Sequence, residues 1–129
     1  DTDAFNMIIT AFRLPKKTKK DQIYREGKIE IATKHAIEIP FKIMKLSLKS
    51  LKLSRKIAKI GNKNSLSDAG VASELAISAL NGAYMNVLIN LKDIKDKKYK
   101  KILLARTNSL IDDSKKEIEI SRTYIYNNL

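Results

Sequence analysis

Three polar side chains on one predicted helix have the types and spacing to do chemistry. Asp68 stands three residues after Ser65 at the start of an apolar segment. A carboxylate there could move a proton or stabilise a developing positive charge. Asn86 and Asn90 lie one helical turn apart, and each amide offers a ligand both a donor and an acceptor. Each residue also has a structural interpretation: a helix cap for Asp68, and helix–helix or subunit hydrogen bonds for the asparagines.

The start of the chain is a second source of carboxylates. Asp1 and Asp3 stand there, and both are also compatible with simple solvation. With no cysteine and a single histidine, His35, the chain lacks a two-histidine metal motif, a thiolate nucleophile and cysteine metal sites. We interpret His35 as structural. No acidic cluster has metal-ligand spacing, so no metal is predicted.

The charge balance favours a polyanionic partner. Lysine and arginine number 26 against 14 acidic residues, a net charge of +12. Nucleic acid, an acidic membrane surface and a ligand with several carboxylates all fit that balance. Six lysines recur at spacings of three and four, which is typical of a solvated helix face: Lys42, Lys45, Lys49, Lys52, Lys56 and Lys59. They are not interleaved with stacking aromatics, which argues against nucleic acid.

Helices must position these residues. Residues at helical spacing predict segments over 2–14, 18–39, 40–60, 68–91 and from about 97 onward, and no strand-like alternation persists. We interpret Pro40 as the first residue of a helix, Gly61 as a C-terminal cap, and Thr18–Asp21 and Ser65–Asp68 as capping boxes. The sequence therefore predicts an all-α, antiparallel bundle of about five long helices.

Apolar stripes indicate which helix faces are buried. The first helix has a stripe of Phe5, Ile8, Ile9 and Phe12, and the last has Leu104, Ile111, Ile118 and Ile125 at every seventh residue. The fourth predicted helix has an alanine stripe of Ala69, Ala72, Ala76, Ala79 and Ala83. The same steps lead on to Asn86 and Asn90, so we expect both asparagines on a buried face.

Four stretches resemble one enzyme family, the formimidoyltetrahydrofolate cyclodeaminases. They are GNKNSLSDAGVA (61–72), GAYMNVLINLKDIKD (82–96), DTDAFNMIITAFRLPK (1–16) and EIPF (38–41), in family order along nearly the whole chain. The resemblance implies an all-α homodimer that binds tetrahydrofolate near the dimer interface. It also implies a lyase reaction of one-carbon metabolism: a folate nitrogen attacks the formimino carbon, ammonia leaves, and a methenyl bridge closes.

The resemblance also assigns roles to residues. Asp68 and Asp1 would be the electrostatic or acid–base groups, and Ser67, Asn86 and Asn90 would bind the substrate. A tetrahydrofolate derivative is then the substrate, and the chemistry requires neither metal nor cysteine. The basic surface acquires a role, since folates carry polyglutamate tails.

Other activities and arrangements stay open. Some related members are methenyltetrahydrofolate cyclohydrolases, so hydrolysis to formyltetrahydrofolate is the first alternative. A non-catalytic, basic helical protein that binds nucleic acid is the second, and an inactive fragment used for assembly is the third.

The expected domain organisation and location follow from the same resemblance and from the composition. Residues 1–129 are expected to form a single cyclodeaminase-like domain without the family's glycine-rich N-terminal segment and first helices. Because some members are bifunctional, a formimidoyltransferase domain is a possible partner. No apolar run approaches the roughly 18 residues of a membrane span, and the first residues do not show a signal-peptide pattern, so a cytoplasmic location is expected.

Overall fold

A computed structural model describes residues 2–129 and consists of four α-helices. They are α1 (Thr2–Phe12), α2 (Lys19–Ile60), α3 (Leu66–Leu91) and α4 (Lys97–Tyr126), with a 3₁₀ turn at Lys63–Ser65. Short connections make α2, α3 and α4 antiparallel neighbours, while α1 packs on α2. The predicted all-α bundle is confirmed. No helix in the described range has the length and apolar content to cross a membrane.

The bundle has four helices rather than five because α2 runs through Pro40. A proline keeps a helical φ but cannot donate the backbone hydrogen bond of a helix interior. Pro40 is buried next to Phe41, and Ile37 is fully buried one turn before. Packing of this segment against the core therefore sustains the helix where sequence rules predict a new start.

The predicted caps at Thr18 and Gly61 are confirmed, although they now belong to the two ends of one helix, α2. The Thr18 hydroxyl accepts from the Asp21 N–H at 3.0 Å, and the Asp21 carboxylate accepts from the Thr18 N–H at 3.1 Å. At the other end, the Gly61 N–H donates to the Ile57 carbonyl at 2.7 Å. These caps satisfy backbone groups that a helix terminus otherwise leaves unpaired.

The second predicted capping box is wrong. Ser65 makes no side-chain cap hydrogen bond, because the chain enters α3 through the 3₁₀ turn and Ser65 has φ −97° and ψ 10°. Asn62 caps that turn instead, accepting from the Asn64 N–H at 3.0 Å. Asp68 lies in the first turn of α3 without the partner that the sequence predicted.

Small residues decide how α1 and α4 pack. Ala4 and Ala11 are the buried residues of α1, whereas Phe5 is 62% exposed and Phe12 is 53% exposed. The predicted burial of the α1 stripe is therefore wrong for Phe5 and Phe12, whereas Ile8 and Ile9 are half-buried. The two alanines, not the aromatic residues, allow α1 to approach α2 closely. On α4 the buried residues are Leu103, Thr107, Ile111, Ser114, Glu117, Ile118, Ser121 and Ile125. Leu104, predicted on this face, is exposed.

Charged groups tie the loop before α4 to α2. The Glu30 carboxylate accepts the backbone N–H groups of Lys95 at 3.1 Å and Asp96 at 2.9 Å. The Lys34 ammonium donates to Asp96 at 2.8 Å, and this hydrogen bond lowers the pKa of the Asp96 carboxyl below its usual value. Asp96 also caps α4, accepting from the Tyr99 N–H at 3.0 Å. The bonds hold the α3–α4 connection in one position.

This arrangement predicts a pH-dependent stability difference for Asp96→Asn. Since folding lowers the Asp96 pKa, its ionised form stabilises the fold above the unfolded value of about 3.9, and this contribution disappears as the pH falls through the folded value. Asparagine keeps the capping oxygen but loses the charge. We expect the variant to be less stable than wild type at pH 6 and equally stable near pH 2, measured by urea unfolding. Asp112, an exposed residue of α4, provides the control. A stability difference that does not depend on pH, or an equal difference in Asp112→Asn, would contradict the stabilising role of the ionised Asp96.

Candidate functional site

A cavity of about 280 Å³ lies where α1, α2 and α3 meet, and we call it the three-helix cavity. Its wall includes Phe5 and Ile8 of α1, Ala36, Pro40 and Ile43 of α2, and Asn86 and Asn90 of α3. The volume lies just below the range typical of ligand pockets, about 300–1,000 Å³. It therefore suits one ring system of a larger ligand rather than a complete cofactor-sized molecule.

The asparagines supply the polar side-chain amides of this cavity. The side-chain nitrogen of Asn90, Nδ2, donates to the backbone carbonyl of Asn86 at 2.8 Å, which orients the Asn90 side chain. Its Oδ1 is left to accept another hydrogen bond, and the Asn86 amide can both donate and accept. The wall thus combines apolar surface with a small number of polar groups, as specific ligand sites do.

The alanine stripe lies along the boundary between the buried and the exposed faces of α3. Ala69, Ala76 and Ala83 are buried, whereas Ala72 and Ala79 are exposed. Consequently Asn86 is exposed and Asn90 is half-buried, and the expectation of a buried face for both is wrong. The true core stripe of α3 has Ser73, Ile77, Leu80, Val87 and Leu91 alongside the three buried alanines.

Asp68 lies far from the three-helix cavity. It is exposed, and within residues 2–129 its carboxylate makes no hydrogen bond or ion pair. Asp68 and Asn90 are 22 positions apart on one helix, which is about 33 Å at 1.5 Å per residue. A single chain does not bring the predicted carboxylate and the predicted amides together.

Ser67 lies beside Asp68 and lines a different cavity. That cavity, of about 300 Å³, lies between the start of α3 and the end of α4 and also includes Gly70 and Arg122. Arg122 donates to the two oxygens of Glu74 at 2.7 and 2.8 Å. This hydrogen bonding lowers the pKa of the Glu74 carboxyl, which therefore stays ionised.

The chain's first carboxylates are only partly described. Asp1 lies outside the described residues. Asp3 is exposed in the first turn of α1 and lines a groove of about 560 Å³ between α1 and α2 that also includes Tyr24 and Lys28. Within residues 2–129, no three histidine or acidic side chains are grouped closely enough to hold a metal ion.

The six-lysine row of α2 is exposed, as the sequence predicted. At about 100° per residue, the row points roughly 180° away from the cavity residues Ala36, Pro40 and Ile43 on the same helix. Its charge therefore acts on the opposite flank of the bundle from the three-helix cavity.

Comparison with known proteins then decides the family. Residues 1–109 match the family model described as formiminotransferase-cyclodeaminase. The chain belongs to the formiminotransferase-cyclodeaminase family. The matched range includes all the residues that line the three-helix cavity, on α1, α2 and α3.

Relatives in this family differ in activity and in length. The chain is 32% identical over 114 residues to a methenyltetrahydrofolate cyclohydrolase of Methylorubrum extorquens, covering 88% of this chain and 55% of that protein. It is 32% identical over 115 residues to the formimidoyltransferase-cyclodeaminase of Rattus norvegicus, covering 89% of this chain and 21% of that one. The chain thus spans about half of the first relative and about a fifth of the second.

A solved structure has the same fold. The formiminotetrahydrofolate cyclodeaminase of Thermotoga maritima superposes with a TM-score of 0.73 at 24% sequence identity, over 98% of this chain and 57% of that one. At this identity the likeness concerns the fold. It shows that the four-helix arrangement also occurs within a longer chain.

Three residues that line the three-helix cavity are not among the site residues that the sequence predicts. Phe5 and Ile8 were interpreted as core, and Pro40 as a helix start, yet all three line the three-helix cavity. The spacing contains one signal: Ala36, Pro40 and Ile43 follow each other at four and three, one face of a continuous helix. That signal is visible only once Pro40 is accepted inside α2.

Proposed function

We propose that this chain contributes the folate-binding part of an enzyme that cyclises formimidoyltetrahydrofolate to methenyltetrahydrofolate and releases ammonia. The observation that carries the proposal is the three-helix cavity with its paired asparagines, in a chain of the formiminotransferase-cyclodeaminase family. The cyclodeaminase and cyclohydrolase names of its relatives support a folate substrate.

In this proposal the three-helix cavity holds the pterin ring. Asn86 and Asn90 hydrogen-bond the donor and acceptor edge of the ring, and Phe5, whose side chain is largely exposed at the cavity, offers an aromatic face for stacking. Burial of the ring fixes the reacting nitrogen next to the formimino carbon, which is how positioning lowers a barrier.

The carboxylates do the proton chemistry in this proposal. The departing amine needs a proton, and the amidinium carbon that forms is cationic, so Asp68 and Asp1 would transfer a proton or stabilise that charge. Ser67, next to Asp68, would position the substrate by hydrogen bonding. Since Asp68 is about 33 Å from Asn90 along α3, these groups would come from a second copy of the chain.

The outer face of α3 supports the homodimer that this requires. Val71, Leu75, Met85 and Ile89 are between 59% and 66% exposed, an apolar surface of the kind that interfaces cover. A methyl group at Gly82 would enter open space, so the described chain itself does not explain a helix-destabilising glycine there. Two copies of α3 could pair antiparallel about a two-fold axis near Ala79, which is midway between Asp68 and Asn90. This pairing would bring Asp68 of one copy close to Asn90 of the other.

The wider context of the enzyme is part of the proposal. The rat relative's name supports a formimidoyltransferase as a partner domain or protein. A folate tail with several glutamates would bind basic side chains near the cavity rim, and the α2 row points away from that rim. A cytoplasmic location fits an enzyme of one-carbon metabolism.

Hydrolysis of methenyltetrahydrofolate is the second candidate, because a 32% identical relative is named as that cyclohydrolase. Parallel assays separate the two candidates. Formimidoyltetrahydrofolate should give methenyl absorbance with one ammonia released for each methenyl group formed. Loss of methenyl absorbance with formation of formyltetrahydrofolate, and no ammonia from the first substrate, would favour the cyclohydrolase. Binding to nucleic acid that weakens steeply with salt, with no folate turnover, would overturn both.

A further inference from the structure

The proline inside α2 changes the chemistry of the three-helix cavity. In an uninterrupted helix the N–H of residue 40 would donate to the carbonyl of residue 36. Pro40 has no N–H, and its ring crowds that carbonyl. The Ala36 carbonyl therefore lacks its usual helical donor, and both Ala36 and Pro40 line the cavity.

A second observation makes this carbonyl part of a polar set. On the α3 side of the same cavity, the hydrogen bond from the Asn90 amide to the Asn86 carbonyl leaves Asn90 Oδ1 as an acceptor. The Asn86 amide remains able to donate. Among the residues that line the cavity, the Ala36 carbonyl on α2 and Asn90 Oδ1 on α3 can therefore accept and the Asn86 amide can donate, while the other lining residues are apolar.

We infer that the Ala36 carbonyl, freed by Pro40, is a specificity determinant that accepts a hydrogen bond from the amino-pyrimidinone edge of the ligand. The inference rests on the proposed function, since that edge belongs to the pterin of a folate. Its 2-amino and ring N–H groups are donors, and its carbonyl oxygen is an acceptor. This pattern complements the two acceptors and one donor of the cavity.

The inference explains why a helix of 42 residues keeps a proline at its middle. An interior proline costs stability, and a role in ligand binding would account for that cost. A backbone carbonyl is a rigid acceptor whose position is set by the helix itself. It cannot rotate away from the ligand as a side chain can.

Pro40→Ala is the variant that tests this, because it restores the donor to the Ala36 carbonyl. Its thermal midpoint should rise by roughly 5 °C, since alanine removes a helix-breaking residue. Its affinity for 5-formyltetrahydrofolate should fall about tenfold, since the carbonyl is now occupied within the helix. Greater stability with weaker binding is a combination that loss of packing does not produce.

A ligand without the 2-amino group separates the hydrogen bond from cavity shape. Wild type should bind 2-desamino-5-formyltetrahydrofolate about tenfold more weakly than the parent ligand, and Pro40→Ala should bind both alike. Ile43→Ala, which trims the same wall without changing backbone hydrogen bonds, should weaken both ligands by the same factor. The wild-type comparison stands even where Pro40→Ala does not fold.

The binding results test the role of the Ala36 carbonyl separately from the proposed function. Equal wild-type affinity for the two ligands, or an unchanged preference in Pro40→Ala, overturns the role of the Ala36 carbonyl and leaves the proposed function standing. If wild type binds neither ligand, the proposed function fails and the inference fails with it.

Discussion

Asp68→Asn should reduce turnover of formimidoyltetrahydrofolate by at least about 100-fold, the scale on which a general acid or base contributes. Asparagine has nearly the same shape but can neither transfer the proton nor supply the negative charge. The fold should tolerate the change, because Asp68 is exposed and its carboxylate makes no hydrogen bond or ion pair within residues 2–129. The stability loss should be below about 1 kcal/mol, the size of a helix-dipole interaction in the first turn. Steady-state kinetics and thermal unfolding of the same preparation measure both quantities.

Asp112→Asn is the matched control for this result. Asp112 is an exposed acid on α4, so its substitution removes the same charge from a surface without a predicted role. Its turnover should equal that of wild type. If Asp68→Asn unfolds the bundle while activity per folded molecule is unchanged, Asp68 is only a helix-terminus residue.

Two inactive variants should recover activity when they are co-expressed. Asp68→Asn removes the carboxylate, and the double variant Asn86→Ala/Asn90→Ala removes the cavity amides, at opposite ends of one α3. In a dimer whose sites combine the two ends from different copies, a mixed dimer has one intact site and one doubly defective site. Equal expression should therefore restore about a quarter of wild-type activity at sub-saturating substrate, because half of the dimers are mixed and each has one of two sites.

The matched control is co-expression of two differently tagged copies of Asp68→Asn, which should restore nothing. Native mass spectrometry of the mixture measures the fraction of mixed dimers. Mixed dimers present at the expected fraction without any recovered activity would show that one copy supplies its own carboxylate, and the shared-site proposal would be wrong.

The sequence predicted those parts of the fold that depend on local chemistry. The Thr18 and Gly61 caps of α2 require only neighbouring backbone groups, so their side chains and spacing were sufficient. Met44, Leu48 and Leu51 follow one another at spacings of four and three, which places them on one helix face, and that face of α2 is buried.

What the sequence could not predict depends on tertiary packing. Pro40 ends a helix by local rules, yet burial of its neighbours in the core keeps α2 continuous. The exposed positions of Phe5 and Phe12 follow from the close approach of α1 to α2 through Ala4 and Ala11, which no periodicity shows.

The candidate site shows the same division. The spacing of Asn86 and Asn90 predicted a pair on one face of α3, and both do line one cavity. The cavity itself consists of three helices, so its α1 and α2 walls could not be found from the α3 pattern. The distance between Asp68 and Asn90 is set by a single uninterrupted α3, whose length the sequence did predict. The proposal that two copies of the chain share one site also depends on the position of the cavity, which the sequence did not predict.

Equilibrium binding of tetrahydrofolate to wild type, Asn90→Ala and Asn81→Ala tests the central claim most directly. Asn81 is an exposed asparagine of the same helix and does not line the three-helix cavity, so its alanine variant is the matched control. We expect saturable binding with one ligand per chain, about tenfold weaker in Asn90→Ala and unchanged in Asn81→Ala. Absence of saturable binding to wild type would contradict a folate site in this cavity. Equal affinity in all three, with dimerisation lost only in Asn90→Ala, would make Asn90 a structural residue.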